Sequence, residues 1–190
     1  MRKLPFVGGL AVLSAAMLLG GCEMDHHDQH ANMWASVNKA VAVLQPTKAS
    51  NSSVSGVVWF ENMGDHVHVM GTVSGLAPNS VHGFHIHEFG DASSPDGTSA
   101  GGHYNPEGAA HSHGEINGAM SHAGDLGNIT ADAGGNAKID VMVHGISIAG
   151  MKDPIVGRGL VVHGNPDDLK SQPAGNAGPR IAVGVIGIAK

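Results

Sequence analysis

The chain has 190 residues, a net charge of −6 and 14 histidines, more than its 10 lysines and arginines together. The acidic balance excludes a nucleic-acid surface, which needs a basic face. Glycine at 29 residues and charged residues at only 14% exclude a helical bundle and favour a glycine-punctuated β fold in one domain with an appendage.

Arg2 and Lys3 precede the apolar run LPFVGGLAVLSAAMLLGG, the pattern of an export signal. The run ends in Leu-Gly-Gly-Cys at Cys22, which resembles the bacterial lipobox. That resemblance implies a signal peptide over residues 1–21 and a lipidated Cys22 that anchors the chain to a membrane. Glu23 after the cysteine implies the outer membrane of a bacterial cell envelope, facing the periplasm. An ordinary signal peptide, or a short anchor helix with an incidental cysteine, is the competing reading. Cys22 is the only cysteine in the chain, so the folded part has no intramolecular disulfide. Residues 22–38 are polar, lack β periodicity and read as a flexible tether. Met24, His26, His27, His30 and Met33 make it either a solvated linker or an accessory copper-binding tail.

The folded domain is expected over residues 39–190. Short alternating runs bounded by Gly, Asn, Asp and Pro predict β-strands. In chain order they are KAVAVLQ, SGVVWFEN, HVHVMGTV, VHGFHIHE, LGNITAD, AKIDVMV, GRGLVVH and RIAVGVIGIA. Eight such runs predict an all-β sandwich or barrel. Two long connections interrupt them, Asp91 to Gly124 and Gly164 to Pro179. Loops longer than about 12–15 residues in a compact domain usually carry function.

Histidines gather at these loops. His85 and His87 alternate in the fourth strand, so both point to one face. A pair on one face is either a pair of metal ligands or a chance polar face. His103, His111, His122 and Asp125 follow in the first long connection, and His163 ends the seventh strand. Arg180 opens the eighth. Loops held by a rigid scaffold are where binding residues gather.

The stretches GFHIHEFGD, HAGDLGNITAD, LVVHGNPDDL and GNAGPRIAVGVIGIA, in this order, resemble the copper/zinc superoxide dismutase family, across about residues 39–190. The resemblance implies an eight-stranded Greek-key β-barrel or sandwich, immunoglobulin-like in architecture. It implies one copper ion on His85, His87, His103 and His163, and one zinc ion on His103, His111, His122 and Asp125. His103 then bridges both metals, which imidazole does with a lone pair on each nitrogen. Nitrogen-rich ligation suits Cu(II), and three histidines with one carboxylate suit tetrahedral zinc. Asp167 corresponds to the aspartate that links a copper histidine to a zinc histidine. Arg180 corresponds to the arginine that holds the superoxide anion.

The implied reaction converts superoxide to O2 and H2O2 while copper alternates between Cu(II) and Cu(I). In the family mechanism His103 releases Cu(I), takes up a proton and later returns it. The competing class is a copper-binding lipoprotein, a chaperone or buffer on the same scaffold, which the His/Met tail favours. Such a relative is expected to have lost a copper ligand or Arg180; none is lost here. His82 matches a structural histidine of the family. His66 and His68 read as a strand's solvent face, and His113 and His144 match no role.

The chain departs from the family in two places. Gly97 and Val183 stand where the family usually has a disulfide, and the loop between Asp167 and Arg180 is short, with Lys170 as its cation. The resemblance also implies a possible homodimer through a patch that includes Val41, Val43, Val156, Gly157 and Ile188.

Overall fold

The computed structural model describes residues 34, 36–111 and 121–190. The expectations at Cys22, Met24, His26, His27, His30, Met33 and His113 therefore lie outside the described residues. Within them, no helix is long and apolar enough to cross a membrane.

Eight strands form: β1 Lys39–Pro46, β2 Ser55–Asn62, β3 Val67–Ser74, β4 Val81–His87, β5 Asp125–Thr130, β6 Ala137–Val143, β7 Gly159–His163 and β8 Arg180–Ile188. Each predicted run overlaps one of them. β5 stops at Thr130 because Asp132 turns the chain, its carboxylate accepting from the Gly134 and Asn136 amides. β7 starts at Gly159 because Gly157 sits at φ 85°, which ends extended structure on its N-terminal side.

All ladders are antiparallel, in the order β5-β4-β7-β8-β1-β2-β3-β6. The two edge strands, β5 and β6, touch, so the sheet nearly closes on itself. The connections from β3 to β4 and from β6 to β7 join strands that are not neighbours in the sheet, which makes them Greek-key crossovers. Period-two alternation drives this closure. In β1, Ala40, Ala42 and Leu44 are fully buried, while Val43 between them is exposed. Ala40, Leu44, Phe60, Val69, Phe84, Ile86, Leu160 and Ile186 share one core. Burying such side chains stabilises the fold by about 25 cal/mol per Å² of apolar surface.

β4 departs from the alternation. Phe84 and Ile86 enter the core, yet Gly83, His85 and His87 on its other face are also buried. The two long connections lie over that outer face. Gly102 O accepts from Glu88 N, and Ala100 O from Phe89 N. Asn165 O accepts from Gly83 N. A polar face with no access to water must satisfy its polar atoms internally.

Candidate metal centre

His85 and His87 point from the covered face of β4. His103 reaches them from the first connection, where Tyr104 N donates to Ile86 O at 2.8 Å and fixes its place beside β4. His163 arrives at the end of β7, which pairs with β4. One nitrogen from each of these four rings lies within 4.8 Å of the others, and all four side chains are buried. A second set, His103, His111, His122 and Asp125, meets the same limit. The structure thus brings all seven expected side chains into two groups that share His103.

Hydrogen bonding decides which nitrogen each ring offers. A carboxylate or a carbonyl can only accept, so the ring nitrogen facing it carries the proton. His85 donates from Nε2 to Asp167 Oδ2 at 2.8 Å. His87 donates from Nδ1 to Gly101 O at 3.0 Å, and His163 from Nδ1 to Gly178 O at 3.1 Å. His111 donates from Nε2 to Asp167 Oδ1 at 2.9 Å. Lone pairs therefore remain on Nδ1 of His85 and His111 and on Nε2 of His87 and His163. The last two atoms stand 3.2 Å apart. That contact is not a hydrogen bond, because neither nitrogen has a proton left to give.

Among the described residues, three buried ring nitrogens have no hydrogen-bond partner: His85 Nδ1, His103 Nε2 and His111 Nδ1. His111 Nδ1 lies 3.0 Å from Asp125 Oδ2 but without hydrogen-bond alignment. An unpartnered buried polar atom costs roughly 1–3 kcal/mol. Several converging on two points fit cations that need nitrogen donors. In the second set Asp125 Oδ1 stands 2.8 Å from His103 Nδ1 and 3.3 Å from His122 Nδ1. Its Oδ2 accepts from His122 N at 2.9 Å, which fixes the carboxylate.

The electrostatics keep these groups in ligating form. Burial holds the imidazolium of His103 down to about 4 and that of His163 down to about 3, and His87 also falls well below 6.5. All three are neutral at neutral pH. Burial alone would raise Asp125, but hydrogen bonds from His103 and His122 hold it well below the usual carboxylate range. Burial likewise opposes ionisation of Asp167, and hydrogen bonds from His85 and His111 outweigh it. Asp167 thus orients one ring of each set through its two oxygens, as carboxylates beside metal-bound histidines do.

Arg180 sits at the start of β8 and donates from Nη1 to Gly97 O and from Nη2 to Gly101 O. Burial lowers its pKa, yet guanidinium remains charged. Arg180, Gly178, Asp96 and Thr98 line a cavity of about 230 Å³. A larger cavity, about 400 Å³, lies beside His122 and Asp125.

The remaining expectations fall as follows. His82 is buried but belongs to neither set; its Nδ1 faces His163 O at 2.8 Å and its Nε2 faces Ser80 Oγ at 2.7 Å. Gly97 and Val183 adjoin, since a β-carbon on Gly97 would lie 2.9 Å from Val183 Cγ2.

Two amide side chains escape a sequence reading. Asn128 donates to Asp167 O at 2.9 Å and accepts from Asp167 N at 2.8 Å. Gln172 accepts from His111 N at 2.8 Å and donates to His111 O at 3.3 Å. Each grips the backbone of one partner in the Asp167–His111 bond. Gly175 at φ 60° closes over that bond, where a β-carbon would overlap Asp167 Oδ1 and approach His111 Nε2. Asn128 lies inside a motif; nothing in the sequence around Gln172 signals its contact.

Comparison with known proteins gives consistent results. The family model for copper/zinc superoxide dismutase matches residues 54–186. A copper/zinc superoxide dismutase of Schizosaccharomyces pombe is 45% identical over 159 residues, covering 80% of this chain and 98% of its own. One from Neurospora crassa is 44% identical over 160 residues, with 80% and 99% covered. An extracellular copper/zinc superoxide dismutase of Onchocerca volvulus is 43% identical over 162 residues, covering 80% and 76%. Among solved structures, the clock protein EA4 superposes with a TM-score of 0.70 at 38% identity, covering 80% of this chain and 95% of its own.

Proposed function

The chain belongs to the copper/zinc superoxide dismutase family, and from that premise we propose how its residues divide the work. The activity is dismutation of superoxide to O2 and H2O2, with copper and zinc as cofactors. His85, His87, His103 and His163 hold the copper, and His103, His111, His122 and Asp125 hold the zinc. Bound copper supplies a one-electron couple that accepts an electron from one superoxide and donates one to the next. Arg180 holds the substrate anion, its guanidinium fixed by the carbonyls of Gly97 and Gly101. His103 Nε2, buried and without a hydrogen-bond partner, is the atom that takes and returns a proton. His103 Nδ1, against Asp125, keeps the ring in place meanwhile. Asp167 fixes His85 and His111 together.

The observation that carries this division is the proton placement above. In the structure all four rings of the first set spend one nitrogen on a protein acceptor, His103 on Asp125, and leave the other for the group that these four side chains enclose. His163→Ala tests it: copper and activity are expected to be lost while zinc is retained. Full activity in that variant would overturn the copper assignment.

We place the protein in the cell envelope of a bacterium as a lipoprotein. The signal-like residues 1–21, Cys22 at their end and the extracellular relative support export. Residues 22–38 then form the tether, and Met24, His26, His27, His30 and Met33 an accessory copper collector for the domain at 39–190. Cys22→Ser is expected to abolish detergent partitioning; unchanged, processed, membrane-bound protein would exclude the anchor. We also propose a two-fold homodimer. Val43 and Ile188 are more than half exposed. Phe89 and Val185 extend the same apolar patch, and Gly90 packs against Gly157 and Val185. Apolar patches of this kind mark contact surfaces. A clean monomer in sedimentation at micromolar concentration would exclude it.

A further inference from the structure

One face of the sheet is apolar and lies far from the metal centre. Buried and outward side chains alternate along β2 and β6, and in β3 through Met70. The outward members form rows across the ladders. Trp59 lies opposite Met70, and Met70 opposite Asp140. Val57 lies opposite Thr72, and Glu61 and Met142 flank His68. Trp59 is 44% exposed and Met142 63% exposed, and Val57 is exposed as well. Met63, which follows β2, is 54% exposed. The two carboxylates on these rows are balanced by lysines. Glu61 meets Lys39 at 3.0 Å, and Asp140 meets Lys138 at 3.3 Å. Among the described residues the face thus offers an indole, aliphatic and thioether groups, and charge that cancels locally.

Two further observations say what this face meets. The first is where the chain enters. Asn38 O accepts from Asn62 N at 2.8 Å, so the segment before β1 joins the domain beside Met63, at the end of the face. Trp34, in that segment, is also exposed. Residues 23–33 alone separate Cys22 from Trp34. A chain extends by at most about 3.5 Å per residue, so a domain anchored at Cys22 stays within about 40 Å of the bilayer. Confinement at that distance makes a weak contact effective. The second observation is orientation. In the nearly closed sheet β2 lies four strands from β4 in either direction. Trp59 on β2 and the metal centre on β4 therefore occupy opposite sides of the barrel. Tryptophan, with an apolar ring and a polar N–H, is enriched at the boundary between bilayer and water.

We propose that the outer face of β2, β3 and β6, centred on Trp59, rests on the bilayer that holds Cys22, and so turns the metal centre away from the lipid. The docking rests on reading Cys22 as the lipid anchor.

The test uses the processed, lipidated chain with Trp34→Phe, which leaves Trp59 as its only tryptophan. It is reconstituted on phosphatidylcholine vesicles, with or without phospholipid brominated near the glycerol end of its acyl chains. Trp59 emission is expected to shift to shorter wavelength on the vesicles and to lose intensity to the brominated lipid. Val57→Glu with Met63→Glu, both at exposed positions, should still float with the vesicles but lose the shift and the quenching. Protein that floats with vesicles while Trp59 is untouched by brominated lipid would overturn the docking. A shift to shorter wavelength without bromine quenching would overturn it in favour of a second copy on this face. Quenching that persists undiminished in the Val57→Glu, Met63→Glu protein would overturn the choice of face. Protein that does not float at all would instead overturn the anchor itself.

Discussion

Asp167→Ala is the most telling perturbation of the centre. It removes both acceptors that Asp167 offers, at 2.8 Å to His85 and 2.9 Å to His111. Hydrogen bonds to a charged group contribute roughly 1.5–3 kcal/mol each, and each 1.4 kcal/mol is a factor of ten in an equilibrium constant. Each metal therefore loses on the order of 10- to 100-fold in affinity. The loss does not fall evenly. His85 lies within β4, whose ladders to β5 and β7 hold its backbone. His111 lies in the first long connection, outside any strand, where Gln172 grips its backbone. Zinc should weaken more than copper. Competition of each metal against a calibrated chelator measures both affinities. Variant protein that holds both metals within about twofold of the parent would refute this account of Asp167.

Other expectations follow from the same geometry. Gln172→Ala removes two neutral hydrogen bonds, so zinc affinity should fall about 3- to 10-fold with copper affinity unchanged; the same competition assay reads it, and equal zinc affinity would dismiss the clamp. Hydrogen bonds from Thr98 keep Asp96 ionised beside Arg180. An anionic wall slows an anionic substrate, so Asp96→Asn should raise kcat/KM roughly 2- to 5-fold at low ionic strength and lose that gain at high salt. A rate that falls, or a gain that persists in salt, would contradict this. Finally, His87, His103 and His163 have lowered values in the folded metal-free protein. Between pH 6.5 and about 4 the unfolded chain binds more protons at these residues, so stability is full above pH 6.5 and falls as pH drops. The urea midpoint of metal-free protein should decrease from pH 7 to pH 4.5; a constant midpoint would exclude the effect.

The strands were legible because β6 alternates apolar and polar residues and β1 and β2 are short apolar runs with polar ends, which are local properties of the chain. The seven side chains that the structure gathers were named through the family resemblance; five of them lie in the motifs that carry it, while His103 and His111 lie between those motifs. The burial of both faces of β4 was not, because it depends on two loops that fold over it from 14 and about 80 residues away. Gln172 was hidden for the same reason: it meets His111 across 61 residues, and a glutamine in a polar loop has no local pattern.

The missing disulfide shows how the loop under Arg180 is held by other means. Ser99 Oγ donates to Asp91 O at 2.7 Å, and Ser94 Oγ accepts from Ser99 N at 2.8 Å. Pro95 O accepts from Ala49 N at 2.8 Å, which ties the same loop to the segment after β1. Ala100, Val161 and Val183 pack beneath it as a small separate core. Arg180 then joins the two ends of the segment Gly97 to Gly101 through their carbonyls. A disulfide constrains mainly the unfolded chain, whereas each of these contacts exists only in the folded one. The loop therefore depends on the fold for its shape, and the guanidinium proposed to hold the substrate is itself part of what closes it. Neutralising or shortening Arg180 removes the anion's partner and loosens the carbonyl of Gly101, which also orients His87.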